Sequence, residues 1–194
     1  MVTNLREQGQ DDYMVFPAIA WEQFEAIALA FQDIPGVRLS YLDGWVEIMT
    51  TGDEHEDLKK TIAILLEAYM RAKGIRFYGR GAPTLGSRQQ GVRREPDESY
   101  NVDTKKEIPD FLVEVVITSG ELDKLECYKR IGVPEVWFWL NRKLLIYQLQ
   151  NGHYQLATRS HFLPDLDLEL LTQYVCFDDQ YDAVTEFLTA ITRL

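Results

Sequence analysis

Cysteine is scarce in this chain of 194 residues: Cys127 and Cys176 are the only two, and neither belongs to a CxxC pair. That excludes a disulfide scaffold and a zinc knuckle, and it predicts reduced thiols in a reducing compartment. Long apolar runs are also missing, since nothing approaches the roughly 18 residues that read as a membrane span. The opening segment MVTNLREQGQDDYMVF has no apolar core of signal-peptide type, so a soluble, cytoplasmic protein is expected. Other signatures are absent too. Gly79, Gly81 and Gly86 lack the spacing of a phosphate-binding loop, and there is no GxSxG, no HExxH and no Cys–His arrangement.

An excess of positive charge is lacking as well. The formal net charge is −11 and the pI about 4.7, which excludes a protein that coats nucleic acid through bulk charge. The distribution is uneven, however. Between Arg71 and Arg94 there are seven basic residues and no acid, whereas the stretch from Asp165 to Leu194 holds seven acids opposed by Arg193 alone. A cationic strip on an acidic body suits a groove that meets a polyanion at one place; a solvated hairpin face is the plainer alternative.

What the chain does contain is an ordinary globular composition, 46% hydrophobic and 26% charged, enough for one domain with a substantial core. Residues 1–15 are polar and patternless and read as a flexible tail, leaving 16–194 as a single domain. AWEQFEAIALAFQDIPG has helical spacing and stops at Pro35-Gly36. VRLSYLDGWVEIMT reads as two strands around Asp43-Gly44, and a second helix follows over about 53–73. Strands are expected near IRFYG, APTLGS, PDESYNV and IPDFLVEVVI, then a short helix in GELDKLECYKRIG. VPEVWFWL, KLLIYQLQ and NGHYQLAT form a meander in which Trp137 and Trp139 cover a core or an interface. Helical segments around 168–175 and 179–192 end the chain. The fold class is α/β (α+β), with a mixed sheet flanked by helices, an N-terminal helix–hairpin and a C-terminal meander.

The chemistry concentrates in the strand that starts at Asp110. Alternation puts Phe111, Val113, Val115 and Ile117 on one side, with Asp110, Leu112, Glu114 and Val116 on the other. Glu114 therefore lies in an otherwise apolar run, where an ionised carboxylate needs a cation or strong donors. At about 100° per residue, Lys124 falls inside the apolar face of the next helix, among Cys127, Tyr128 and Ile131. It either snorkels to the edge of that face or points at Glu114. An ordinary buried ion pair is the plain reading of the two; a metal-binding site is the sharper one.

A second carboxylate should come from a neighbouring strand. Asp110 stands about 13 Å from Glu114 along its own strand, too far to share an ion whose carboxylate bonds are about 2.0–2.6 Å. Asp97, in the other Pro-Asp pair, opens the preceding strand and can lie across the sheet. Asp110 suits a capping or supporting role.

Asp97 in EPDESY, Glu114 in IPDFLVEVV and Lys124 in DKLECYKRIGVPEVWFW resemble the bacterial putative restriction endonuclease family of the PD-(D/E)XK nuclease superfamily. The resemblance runs from the Trp21 helix through the meander after Gly132. It implies a restriction endonuclease-like fold and hydrolysis of DNA phosphodiesters with Mg²⁺, or Mn²⁺. It also implies metal ligation by Asp97, Glu114 and the backbone carbonyl of Val115. One departure stands out: the superfamily lysine follows the acid by two residues, where this chain has Val116. The resemblance implies that Lys124 has taken over that role from the helix. His55, on the inward stripe of its helix, is a supporting residue by the same comparison, with a core or capping role as the alternative.

The expected function is thus a Mg²⁺-dependent DNA endonuclease, with Arg80, Arg88, Arg93 and Arg94 of the basic strip as DNA contacts. A homodimer would let two sites address two strands. The competing expectation is an inactive nuclease-fold module that binds nucleic acid or protein and keeps Glu114 and Lys124 as a structural pair.

Overall fold

A computed structural model of the chain describes residues 11–117 and 122–192. The first strand, β1 (Asp12–Phe16), is followed by α1 (Trp21–Phe31) and the hairpin β2 (Val37–Leu42) and β3 (Trp45–Thr50). The long helix α2 (Asp53–Ala72) leads into three short strands, β4 (Phe77–Gly79), β5 (Leu85–Ser87) and β6 (Val92–Arg94). Then come β7 (Glu98–Val102), β8 (Phe111–Val116), α3 (Lys124–Ile131) and the meander β9 (Glu135–Leu140), β10 (Lys143–Gln150) and β11 (His153–Ala157). Helices α4 (Leu168–Val175) and α5 (Gln180–Thr192) complete the order.

Two sheets result. The first is antiparallel with order β1-β3-β2-β6-β5, and the second is mixed with order β11-β10-β9-β8-β7-β4. Within the second, β8 and β9 run parallel, so the chain must cross over between them, and α3 makes that crossing. The mixed sheet flanked by helices is the expected fold class. The separate antiparallel sheet was not expected, nor was β1: Asp12–Phe16 pairs along β3 where a tail was anticipated up to residue 15. Period-2 patterning is faint in DYMVF, and Tyr13, Met14 and Phe16 remain exposed, so nothing in the sequence signals the pairing.

Turn chemistry sets the hairpins. Asp43 and Gly44 have φ of 46° and 88°, the left-handed pair that a tight two-residue connection requires. Asn151 and Gly152, at 51° and 80°, do the same between β10 and β11. Helix α3 begins where the Asp123 carboxylate accepts from the Glu126 amide at 3.0 Å, and it ends at Gly132 in the left-handed conformation, φ 87°.

Strand β8 divides the core as its alternation predicts. Phe111, Val113 and Val115 join the cluster that contains Ile62, Leu65, Leu66 and Tyr69 of α2, Trp137 and Trp139 of β9, and residues of α4 and α5. Leu112, on the opposite face, packs with Val136, Phe138 and the α3 residues Cys127, Tyr128 and Ile131. Both tryptophans thus belong to the core. Glu114 stands on the same α3 side as Leu112, 2% exposed.

Candidate active site

The mixed sheet brings Asp97, Glu114 and Lys124 together. Strand β7 pairs antiparallel with β8, Glu98 opposite Val113, and the same register carried one step further sets Asp97 across from Glu114. Asp97 Oδ2 accepts from the amide of Val115 at 2.7 Å, which fixes the carboxylate beside the strand that carries Glu114. Lys124 reaches over from the first turn of α3, and its Nζ lies 2.6 Å from Glu114 Oε2. Its side chain is 13% exposed while those of Asp97 and Glu114 are 2% exposed, so the lysine is the member of the three that faces outward.

The antiparallel sheet and α3 supply further partners. Arg94, at the end of β6, is as buried as Glu114, with Nε 3.2 Å from Oε1 and Nη2 3.4 Å from Oε2. Its Nη1 donates to Ser40 Oγ at 3.1 Å and stands 3.6 Å from Glu47 Oε1. Glu47, on β3, is itself 2% exposed and accepts from the Leu122 amide at 3.5 Å. Arg38, on β2, pairs with Asp97, and the Tyr128 hydroxyl donates to Glu114. Arg38, Ser40, Glu47, Arg94 and Tyr128 were not singled out in the sequence as parts of this cluster. A faint signal exists: Arg38 and Ser40 alternate with Val37, Leu39 and Tyr41, and Ser40 lies directly opposite Glu47. Such alternation ordinarily marks a solvent face. Here that face turns toward the carboxylates.

Charge balance explains why so many ionised groups tolerate burial. Desolvation pushes the Glu114 carboxyl up, but Arg94 and Lys124 outweigh it and hold the group well below the usual carboxylate range. The same field works in reverse on neighbours. Burial and the adjacent Glu114 charge raise the Tyr128 hydroxyl far above its ordinary value, so it stays protonated and donates. Arg94 is raised by Glu114 despite its own desolvation, so the guanidinium keeps its charge.

His55 sits in the first turn of α2, fully buried, with Nε2 3.2 Å from Asp97 Oδ2. Among the described residues neither ring nitrogen has a partner at full hydrogen-bond geometry. Burial lowers its tendency to protonate, yet direct contact with the Asp97 carboxylate, helped by the charges of Asp97 and Asp11, outweighs this and the imidazole is raised above its ordinary value. Asp110 is remote from this cluster in its bonding: its carboxylate accepts from the Val102 amide at 2.8 Å and from Lys106 Nζ at 2.7 Å, closing the loop between β7 and β8.

The four arginines expected to contact DNA do not share one surface. Arg94 is inside the carboxylate cluster. Arg88 is exposed and pairs with Glu22, Arg93 lies 5.5 Å from the Phe24 ring centre, and Arg80 donates to Asn101 Oδ1 at 2.9 Å.

Comparison with known families matches residues 21–177 to the family described as Uma2: Putative restriction endonuclease. The chain belongs to this family. The match runs from α1 to just after α4, leaving out β1 and α5, and it contains every residue of the carboxylate cluster. The Uma2 family's description is that of a nuclease, and the mixed α and β architecture agrees with a restriction endonuclease-like fold. A comparison with curated proteins finds no match. Among the described residues no helix is long and apolar enough to cross a membrane.

Proposed function

We propose that the chain is a metal-dependent endodeoxyribonuclease in which Asp97, Glu114 and Lys124 form the hydrolytic site. The observation that supports it most is the lysine on the carboxylate: Lys124 Nζ lies 2.6 Å from Glu114 Oε2, beside an aspartate held by the next residue's amide. The donor set fits Mg²⁺ or Mn²⁺, hard ions that take oxygen ligands. Among the described residues no group of three or more His, Cys, Asp and Glu is disposed to hold a metal, so protein ligation rests on two carboxylates and the Val115 carbonyl. Mg²⁺ is commonly bound through one or two carboxylates with several waters retained. The cations it would displace are the outward ones, Arg38 and Lys124, whose side chains are 16% and 13% exposed; Arg94, at 2%, stays in place.

Each residue then has a task. When bound, the divalent ion polarises the scissile phosphate and lowers the pKa of a water. Arg94 and Tyr128 keep Glu114 ionised and fix its orientation from the buried side. The Val115 amide does the same for Asp97, with His55 behind it. Lys124, released from Glu114, donates to a phosphoryl oxygen as negative charge develops there. A homodimer is the proposed working form, because cutting both strands of a duplex calls for two sites; sedimentation at micromolar concentration tests it.

One observation favours the second reading, a non-catalytic module. Both oxygens of Glu114 are already engaged by Arg94, Lys124 and Tyr128. Thermal stability in the presence of Mg²⁺ and Mn²⁺ separates the two. A nuclease site gains stability as free metal rises above its Kd, whereas a locked ion-pair cluster shows the same melting temperature with and without metal.

A further inference from the structure

Part of the basic strip assembles a second surface, away from the carboxylates. The C-terminal turn of α2 carries Arg71, the segment through edge strand β4 carries Arg76 and Arg80, and Lys105 joins them from the loop after β7. These residues line an open groove of about 830 Å³ along Phe77 and Tyr78, and its lining contains no acid. All four cations are exposed. The Arg71 guanidinium lies 5.9 Å from the Phe77 ring centre, and Lys105 Nζ lies 5.5 Å from that of Tyr78, so the aromatic faces hold the charges in position.

The state of these cations differs from that of others on the surface. Arg130 is paired with Asp43, Arg88 with Glu22, Lys106 with Asp110 and Lys129 with Glu126. Among the described residues, none of Arg71, Arg76, Arg80 and Lys105 has a carboxylate within ion-pair distance. Arg80 donates instead to neutral acceptors, Asn101 Oδ1 and the Lys106 carbonyl, which orient it without cancelling its charge. Two acids border the groove outside its lining: Glu67 on α2 lies beside Gly79, and the Asp103 amide donates to the Arg76 carbonyl at 2.8 Å. Four unneutralised cations in one concavity, on a chain of net charge −11, make a local positive field that the rest of the body does not share.

We infer that this groove binds the phosphate backbone of the nucleic acid beyond the point of cleavage. The inference rests on the nuclease reading for the identity of its polyanion. Arg71 lies about 24 Å along α2 from His55, at about 1.5 Å per residue. That span corresponds to roughly seven base steps at about 3.4 Å each. Contacts to phosphates fix position on the duplex and carry no sequence information, so the groove reads charge. The acidic remainder repels the duplex and leaves this groove and the outward-facing Lys124 as its points of approach.

The test is DNA binding by fluorescence anisotropy in EDTA, with a labelled duplex long enough to span both places and a range of salt concentrations. Arg76→Gln/Lys105→Gln is compared with Lys143→Gln/Arg159→Gln, which removes the same charge from exposed positions on and beside the meander. The groove pair is expected to reduce the slope of log K against log salt by about 1.8, near 0.9 for each phosphate that is no longer neutralised, and to weaken different sequences equally. The control pair leaves the slope unchanged. Equal slopes in the two variants, or no affinity of the native chain for DNA, overturn the inference. Cleavage with Mg²⁺ is read in parallel. Cleavage with an unaltered slope removes the groove and keeps the nuclease, while an altered slope without cleavage removes the nuclease and keeps the groove.

Discussion

Arg94 and Glu114, 3.2 Å apart and each 2% exposed, join the antiparallel sheet to the mixed sheet through one buried ion pair. The arginine belongs to β6 and the glutamate to β8, so the geometry of the candidate site depends on how the two sheets dock. Removing Arg94 leaves two buried carboxylates, Glu114 and Glu47, with Lys124 and the Tyr128 hydroxyl on Glu114 as the remaining compensation. Arg94→Ala is expected to cost about 3–5 kcal/mol, and Arg94→Met/Glu114→Met to recover part of it, since the Glu114 charge goes while Glu47 still lacks its cation. Urea unfolding of the two variants checks this; equal losses in both would show that the pair contributes through packing alone.

The same pair sets an acid limit on stability. The Glu114 carboxyl, which ordinarily titrates near 4.5, is held lower in the folded chain by Arg94 and Lys124 acting against its burial. A depressed folded pKa stabilises the fold at pH above the unfolded value and loses that contribution as pH falls through the folded one. Melting temperature should therefore decline as pH drops below about 4.5, and the decline should be shallower in Glu114→Gln. A parallel decline in the two proteins would assign the acid sensitivity to other carboxylates.

Glu135 predicts a second weak point, remote from the chemistry. It is fully buried on β9 and accepts from Trp137 Nε1 at 2.6 Å, Ser160 Oγ at 2.6 Å, the His161 amide at 2.8 Å and Gln148 Nε2 at 3.1 Å. It therefore pins the segment after β11 to the meander. Glu135→Ala strands these donors, each worth about 1–3 kcal/mol if left unsatisfied, and hydrogen exchange should accelerate at His161 and Leu163 before it does in β8. Unchanged protection at those amides would count against the clamp.

Thiol chemistry offers an inexpensive check on burial. Burial pushes the Cys127 thiol up to about 12, and the residue is enclosed by the α3 face of the core. Cys176 is half-buried. Alkylation of the native protein should modify Cys176 first and reach Cys127 only on unfolding. Early labelling of Cys127 would mean that α3 opens readily.

Local patterns made much of this legible beforehand. The alternation in DFLVEVVI separated Glu114 from Phe111, Val113 and Val115, the helical spacing of KLECYKRI put Lys124 on the buried face of its helix with Glu114 as one of two destinations, and Asp43-Gly44 marked the hairpin. What stayed hidden depends on tertiary docking. Arg38, Ser40 and Glu47 read as a solvent face of β2 and β3, and only the approach of the second sheet turns that face inward. Arg94 sat in a run of basic residues that looked uniform. Its three-residue strand separates it from Arg93, which turns to Phe24, and no periodicity survives over so short a length. Strand β1 carried only a faint pattern and pairs along β3 over its whole length.

The central claim is that Lys124 acts on a phosphate held at Asp97 and Glu114. Lys124→Ala tests it most directly, because the side chain is partly exposed and Arg94 and Tyr128 still hold Glu114 when it is gone. Nicking of a supercoiled plasmid with Mg²⁺ or Mn²⁺ should be present in the native chain and fall by about 100-fold or more in the variant, the scale of losing one transition-state donor. Circular dichroism should show both proteins folded. Metal-dependent cleavage that persists at the native rate in Lys124→Ala, or a folded native chain that cuts no DNA with either metal, would contradict the account.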